Sequence, residues 1–369
     1  MEPDLSLPTE KTRQWVVELW RAAGSNDEEA RLIADHLVGA NLAGHDSHGV
    51  GILLPYVRSL LAGELLLNQR LTIVTDADSL LVVDGNRGMG QSMAFQAMQL
   101  AIDRARRHGV AIVGLRHSHH IGRVGHWAEQ AMAAGLASIH FTNVVGRPLV
   151  APHGGREKRF GTNPFTVGLP RRDGPPILLD FASSAIALGK VDVAYSRGAR
   201  VPAGALIDPE GNPSTDPAVM KEAPLGALLT AAGHKGYALA VVCDLLGSAL
   251  FGGYAAHPDR FCKTGFYNNM LTVVFDPARL GAGAHFEREA AAYIDHVQSA
   301  RRTDPEAPIE MPGDAERRSR RQRAQALPLD PGTVRSLDQA AEAVNTLRGT
   351  ALPPASALIA PEFFGEQPC

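Results

Sequence analysis

Residues 80–120 read LLVVDGNRGMGQSMAFQAMQLAIDRARRHGVAIVGLRHSHH. LLVVDG (80–85) is a short β-branched run closed by glycine and predicts a strand. From Gln91 to Arg107 the residues Ala94, Met98, Ala101, Ile102 and Ala105 recur at helical spacing, which predicts a helix with that stripe inward. VAIVGLR (110–116) predicts the next strand, residues 123–134 a helix, and LASIHFT (136–142) another strand. This alternation is the pattern of an α/β sheet with helices packed on it. The turn Gly85-Asn86-Arg87-Gly88-Met89-Gly90 is spaced G-x-x-G-x-G, not G-x-G-x-x-G. No acidic residue ends the following strand, where a ribose hydroxyl would need one. The turn reads as a plain tight turn and a Rossmann domain is not supported, which leaves nicotinamide binding by another fold open.

Working outward, the first 45 residues predict two helices. Gly24 ends the first, Ser25 and Glu28 read as a capping box for the second, and Ile33, Leu37 and Ala40 share a face. Downstream, residues 143–230 are rich in glycine and proline, with short strands at FTVGL (165–169) and PILLDFA (176–182). Loops that long in a compact chain tend to carry function. An apolar helix at about 235–251, the strand LTVVFD (271–276) and an amphipathic helix near 286–301 follow. An arginine cluster (Arg317, Arg318, Arg320, Arg321, Arg323) precedes a last helix near 333–348.

The chain has 369 residues, enough for about two or three domains and a large core. With 36 basic and 39 acidic residues, it lacks the electrostatic footprint of a nucleic-acid binder. The longest apolar segment, around Tyr237 to Leu250, is interrupted by Asp244, so no membrane helix is expected. The acidic start Met1-Glu2-Pro3-Asp4 lacks the apolar run of a signal peptide, and three cysteines (Cys243, Cys262, Cys369) are too scattered for a disulfide framework or a cysteine zinc site. A soluble, cytoplasmic protein is expected.

Fourteen histidines include two clusters where an element meets a loop: His45, Asp46, Ser47, His48, and His117, Ser118, His119, His120. Imidazole near neutral pH can donate or accept a proton, so the clusters are either structural or an acid/base site. A metal reading of His117, His119 and His120 lacks the H-E-x-x-H spacing. A hydrolase reading lacks the G-x-S-x-G elbow, and Ser47 and His48, being adjacent, are expected to diverge. Gly161-Thr162-Asn163-Pro164 and Asp180-Phe181-Ala182-Ser183-Ser184 read as turns and caps or as amide and phosphate recognition. The arginine cluster is a solvated face or an anion contact.

Taken together, these segments resemble the malate/L-lactate dehydrogenase family of the non-Rossmann type, which includes sulfolactate and ureidoglycolate dehydrogenases, diketogulonate reductase and cyclic imino acid reductases. The resemblance is carried, in the family's order, by HDSHGV (45–50), VVDGNRGMG (82–90), GLRHSHHIGRVGHW (114–127), FTNVVGRPLVAPHGG (141–155), FGTNPF (160–165), LLDFASSAIALGK (178–190), GHKGYALAVVCDLLGSALFGG (233–253) and MPGDAERR (311–318). It implies an α/β, non-Rossmann malate/L-sulfolactate dehydrogenase-like fold: a mixed sheet with flanking helices plus a helical part from the N- and C-terminal segments. The implied division is 1–75 (helical, pairing with the C-terminal segment), 76–300 (cofactor-binding and catalytic) and 301–369 (completing the cofactor cleft and subunit interface).

The resemblance further implies an NAD- or NADP-dependent oxidoreductase moving a hydride to or from a small 2-oxo or 2-hydroxy acid. A cyclic imino acid reductase, or a relative that binds cofactor without the usual turnover, are the alternatives. A homodimer is implied, with no nucleic-acid or membrane partner and no metal; the apolar end (Leu358, Ile359, Phe363, Phe364) could pack on a second subunit. His120 would be the acid/base, with Ser47 and His48 relaying a proton at the substrate and Thr162, Arg147 and Lys190 contacting it. His120, Ile121, Gly122, Arg123 and Val124 would hold cofactor, as would Asp180, Phe181, Ala182, Ser183, Lys235, Gly236, Pro312, Gly313 and Asp314. Three positions depart from the family pattern. Ile52 stands where an arginine usually clamps the substrate carboxylate, leaving Arg58, Arg123 and Arg147 as candidate cations. Lys190 stands where imine reductases place an aspartate, and Ile121 replaces a phenylalanine.

Overall fold

The structure, a computed structural model, describes residues 4–260, 265–281 and 283–359. Met1, Glu2, Pro3, Cys262, Cys369, Phe363 and Phe364 lie outside the described residues. The N-terminal part comprises β1 (Leu5–Pro8), α1 (Thr9–Ala23), α2 (Asp27–Leu42), two 3₁₀ turns (Asp46–His48 and Val50–Ile52) and α3 (Leu53–Leu61). The α/β part runs β2 (Thr72–Ala77), β3 (Leu80–Asp84), α4 (Gly90–His108), β4 (Val110–His119), α5 (Gly125–Ala133), β5 (Ala137–Val145), β6 (Phe165–Leu169) and β7 (Ile177–Phe181). It continues through α6 (Leu188–Ser196), β8 (Leu206–Ile207), β9 (Pro213–Ser214), β10 (Ala227–Leu228), α7 (His234–Leu246), β11 (Tyr267–Phe275) and α8 (Gly283–Gln298). The chain then enters α9 (Asp314–Gln322), β12 (Ala326–Leu329) and α10 (Pro331–Arg348).

Among the described residues the main sheet has seven strands in the order β2-β3-β4-β11-β5-β6-β7. Only β3 and β4 pair in parallel, and β11 is inserted antiparallel between β4 and β5. That order is a mixed sheet and not a Rossmann sheet, as the sequence pattern implies. The α4 stripe Ala94, Met98, Ala101, Ile102 and Ala105 packs with Leu81, Val83, Val113 and Leu115 of the sheet in one core. A small sheet of β8, β9 and β10 carries a separate cluster around Val150, Leu206 and Leu228.

The helical part is closed by the two ends of the chain. β1 pairs antiparallel with β12, setting Leu7 opposite Leu327, and both are fully buried. α1, α2, α3 and α10 surround them with Trp15, Trp20, Leu37, Leu53 and Leu337. Gly24 ends α1 in the left-handed conformation its sequence position predicts.

Several boundaries move. The cap of α2 is Asn26, whose side chain accepts from the Glu29 N–H at 2.9 Å, while Ser25 instead donates to the Glu29 carboxylate; the predicted Ser25–Glu28 box is one residue out of place. β4 continues to His119 and β5 to Val145, because both pair along β11 to Tyr267. α5 starts at Gly125, and α7 stops at Leu246, where Gly247 meets the Phe141 backbone. No helix among the described residues is long and apolar enough to cross a membrane.

Leu7→Ala should cost about 2–5 kcal/mol in urea denaturation, as for other buried leucines, and Leu327→Ala a similar amount. The double variant should lose less than the sum, because the two side chains share one contact. Thermal scans should also show stability falling as pH drops from 7 to 4. Burial pushes His126 down to about 4, His140 to about 3 and His36 well below the usual imidazole range. The folded chain therefore binds fewer protons than the unfolded one below about pH 6.5, and stability present above that pH is lost on acidification.

Candidate active site

The site forms where the chain leaves β4. His117 has a φ of 52° beside a register shift between β4 and β11. The kink turns His117 to one partner, Asp84, and sets His119 and His120 against another, Tyr56. His117 Nδ1 meets Asp84 Oδ2 at 2.9 Å, an oxygen that also accepts from Arg116 Nε at 2.9 Å. His119 is buried against the edge of the Tyr56 ring, with neither ring nitrogen hydrogen-bonded. His120 Nδ1 lies 2.5 Å from the Tyr56 hydroxyl. Imidazoles turned apart in this way do not converge as a metal triad, and no cluster of three potential ligands exists among the described residues.

The glycine-rich turn forms the wall behind His120. Gly88 N–H donates to the Gly85 carbonyl at 2.7 Å, with Asn86 and Arg87 both left-handed between them. The tight turn predicted from sequence is present, and it does more than reverse the chain. Gly88 accepts from the His119 N–H at 3.0 Å. A Cβ at Gly90 would overlap the His120 carbonyl oxygen, so only glycine lets α4 begin flat on that peptide. The next residue, Gln91, is fully buried and donates to both the Tyr56 hydroxyl (3.1 Å) and the His120 carbonyl (3.3 Å).

The helical part faces this wall. α3 supplies Tyr56, and the 3₁₀ turn Asp46–His48 supplies Ser47 and His48. Ser47 Oγ lies 3.1 Å from His48 Nδ1, so the two side chains meet; the tight turn overturns the expectation that they diverge. The His48 ring stacks 5.6 Å from the His120 ring, and Phe266 closes edge-on over His120 at 4.4 Å. Burial holds the His120 imidazole well below its usual range, with His48 and His119 adding to the effect. Burial, then His45, brings His48 down to about 4. Both imidazoles are neutral at pH 7.

The loop after His120 is locked from both sides. Ile121 N–H donates to Asn268 (2.9 Å) and Arg123 N–H to His36 Nε2 (2.9 Å), over a left-handed Gly122 that leaves no room for a side chain beside His36. Arg123 is buried, bonded to Glu129 at 2.5 Å and 3.7 Å from Asp180; its Nη1 lacks a hydrogen-bond partner. Asp180 also accepts from Thr166 Oγ1 and from the Gly125 N–H.

Other predicted segments gather along the same edge. Ser183 bonds the Thr162 carbonyl through both N–H and hydroxyl, and its own carbonyl accepts from Ala231 N–H just before Lys235 and Gly236. The Pro312 carbonyl accepts from Leu178 N–H, setting Gly313 and Asp314 beside β7. Phe181, Ala182 and Val124 lie within these segments. Gly189 of α6 packs on Ser47, which brings the exposed Lys190 to the same neighbourhood.

Of the three candidate cations, Arg58 is on the exposed side of α3 and Arg123 is committed to carboxylates. Arg147 is exposed, and the preceding Gly146 packs on Phe266. The arginine cluster is mostly paired: Arg317 with Asp314, Arg318 with Glu310, Arg320 with Glu129 and Arg323 with Asp46. Tyr56, Gln91, Phe266 and Gly90 were not singled out for the site from sequence. For Gly90 and the adjacent Gln91 the signal was the glycine-rich turn, read there only as a turn; Tyr56 and Phe266 had none in the sequence.

A family model described as malate/L-lactate dehydrogenase matches residues 7–338. Over 347 residues the chain is 46% identical to hydroxycarboxylate dehydrogenase B of Escherichia coli, covering 93% of this chain and 96% of that protein. It is 40% identical to an L-lactate dehydrogenase of Cupriavidus necator, covering 86% and 92%. The solved structure of a putative malate/lactate dehydrogenase from E. coli superimposes with a TM-score of 0.91 at 45% identity, covering 96% of this chain and 98% of that one. With its mixed sheet, its paired chain ends and its histidine site in place, the chain belongs to the malate/L-lactate dehydrogenase family.

Proposed function

We propose that the chain is an NAD(P)-dependent dehydrogenase that interconverts a small 2-hydroxy acid and its 2-oxo acid, with His120 moving the proton at the substrate oxygen. One observation carries the assignment: His120 is buried with its Nδ1 taken by Tyr56, so Nε2 is the ring nitrogen left for a substrate, and the His48 ring stacks beside it with Ser47 on the far side of His48 Nδ1. Phe266 over the ring keeps water away. A buried neutral imidazole placed so is suited to holding a proton at an oxygen that gains charge.

The cofactor would be held by His120, Ile121, Gly122, Arg123 and Val124, by Asp180, Phe181, Ala182 and Ser183, and by Lys235, Gly236, Pro312, Gly313 and Asp314. The fit is supported by Arg123 Nη1, a buried donor without a hydrogen-bond partner at the Asp180 edge. When bound, a nicotinamide supplies or accepts the hydride. Ser47 and His48 orient the substrate, and the Thr162 loop lines the same edge as Ser183.

For the carboxylate, Arg147 takes the place that Ile52 leaves empty. It opens on a cleft of about 350 Å³ lined also by Arg156, Lys158 and Glu157, whose carboxylate pairs with Arg159, and Arg147 itself makes no ion pair among the described residues; the adjacent Gly146 packs on Phe266, which covers His120. Lys158 is held below its usual range by burial and by Arg147, so an anion in this cleft relieves repulsion between cations. A lysine, Lys190, where imine reductases place an aspartate favours a hydroxy acid over a cyclic imine. The protein would work in the cytoplasm as a homodimer; Val242 and Leu245 of α7, with Leu250 beyond it, present an apolar face to a second copy.

Absorbance loss of NADH and NADPH with 2-oxo acids, cyclic imino acids and neutral carbonyls tests the substrate class, and turnover is expected with 2-oxo acids. His120→Ala should lower kcat roughly 10²–10⁴-fold while NADH fluorescence titration gives unchanged cofactor affinity; unchanged kcat would remove His120. Arg147→Met should raise KM for the 2-oxo acid by about tenfold or more, with a smaller change in kcat. Dialysis against a chelator should leave kcat unaltered, since no three potential ligands cluster among the described residues.

A further inference from the structure

Gln91 and Tyr56 have no role in the assignment above beyond their contact with His120. We infer that they are positioning residues that fix which nitrogen of His120 carries the proton, and that His120 and Tyr56 exchange one proton with the substrate as a pair. The inference rests on His120 being the acid/base.

The direction of each hydrogen bond follows from what each atom can do. Gln91 Nε2 lies 3.3 Å from the His120 carbonyl oxygen, which can only accept. Reversing the amide would set two carbonyl oxygens face to face, so the NH₂ group is the one turned toward His120. The same NH₂ lies 3.1 Å from the Tyr56 oxygen and donates to it. The phenol's own proton is then directed at His120 Nδ1, 2.5 Å away. A neutral imidazole whose Nδ1 accepts carries its proton on Nε2, facing the substrate space. Gln91 cannot swing away: it is fully buried, and the glycine before it holds α4 against the His120 peptide.

In reduction, a bound reduced nicotinamide would supply hydride to the carbonyl carbon, and the π pair of the C=O would move to oxygen. That oxygen takes the proton from Nε2, while Tyr56 O–H passes its proton to Nδ1. Tyr56 remains as a phenolate that accepts from Gln91 N–H and from the new Nδ1–H, and solvent later restores the single proton consumed. Oxidation is the reverse, in which bare Nε2 takes the hydroxyl proton and Nδ1 returns its proton to the phenolate. Reduction therefore uses the protonated pair and oxidation the deprotonated one. His48 and His119 face His120, and His119 and Gln91 face Tyr56. Burial favours the neutral form of both members of the pair, so the deprotonated pair is a minor form that gains population as pH rises, and the oxidation rate climbs with it.

The test uses the full-length protein with ¹⁵N-labelled histidine, the His120 signals being identified by their absence in His120→Ala. His120 in the unsubstituted protein is expected as the Nε2–H tautomer. Gln91→Leu should give a mixture of tautomers and lower kcat in both directions by about 10²-fold, the low end of general acid–base effects. Tyr56→Phe, which preserves the core, should do the same and flatten the rise of oxidation rate with pH. NADH affinity should stay unchanged in both. An Nδ1–H tautomer in the unsubstituted protein would overturn the inference, as would normal kcat and pH profiles in both variants while His120→Ala is inactive. A fully active His120→Ala would instead overturn the assignment of His120 itself, and the inference with it.

Discussion

The contact of Gly90 with the His119–His120 peptide is the constraint from which the site follows. It needs a residue without a side chain, and it sets the first turn of α4 directly behind the histidine that ends β4. Gly85 packs on Ser118 in the same way. These glycines resemble a cofactor turn in composition, yet they serve close packing of one strand end on one helix start. Because the helix is pinned there, a glutamine one residue later reaches two oxygens that a longer gap would put out of range.

A second framework runs through charges. Glu129 on α5 takes both Arg123 and Arg320, Asp46 takes Arg323, and His45 meets Glu316 at 3.2 Å. α9 is thereby fastened to the 3₁₀ turn that carries Ser47 and His48 and to the helix that follows the His120 loop. Arg123 is buried and the other partners are part-exposed, so the pairs add little net stability: desolvation offsets attraction for the first and solvent screens the rest. Their effect is to fix register among three segments far apart in sequence. Removing a single partner would leave an uncompensated charge beside the site.

Much of the architecture was legible in residues 80–142, where periods of two and 3.6 alternate without ambiguity. The insertion of β11 between β4 and β5 was not, since nothing local in LTVVFD names its neighbours. The Ser25 reading failed because Ser25, Asn26 and Asp27 are all competent caps, and the choice fell to the tie between Asn68 and the start of α2. The two histidine clusters were legible from their places at element ends, whereas the choice of His120, His48 and Ser47 within them rested on the family resemblance. Tyr56 and Gln91 were hidden, since each sits on an otherwise ordinary helix and acquires meaning only through a neighbour. The arginine cluster looked like a free cationic face because its carboxylate partners at 46 and 129 are distant in the chain.

The pairing of β1 with β12 has a consequence for how the molecule is made. Leu7, Trp15 and Trp20 emerge from the ribosome some three hundred residues before the strand that covers them. At roughly 5–20 residues per second that interval lasts tens of seconds, during which α1 has α2 to bury against, and α2 has α1, α4 and Trp127, but neither has the β1–β12 pair or α10. The α/β part can settle in the meantime, since β2 to β11 are all complete before residue 276. The nascent chain would thus need shelter for the N-terminal apolar surface until β12 and α10 are made.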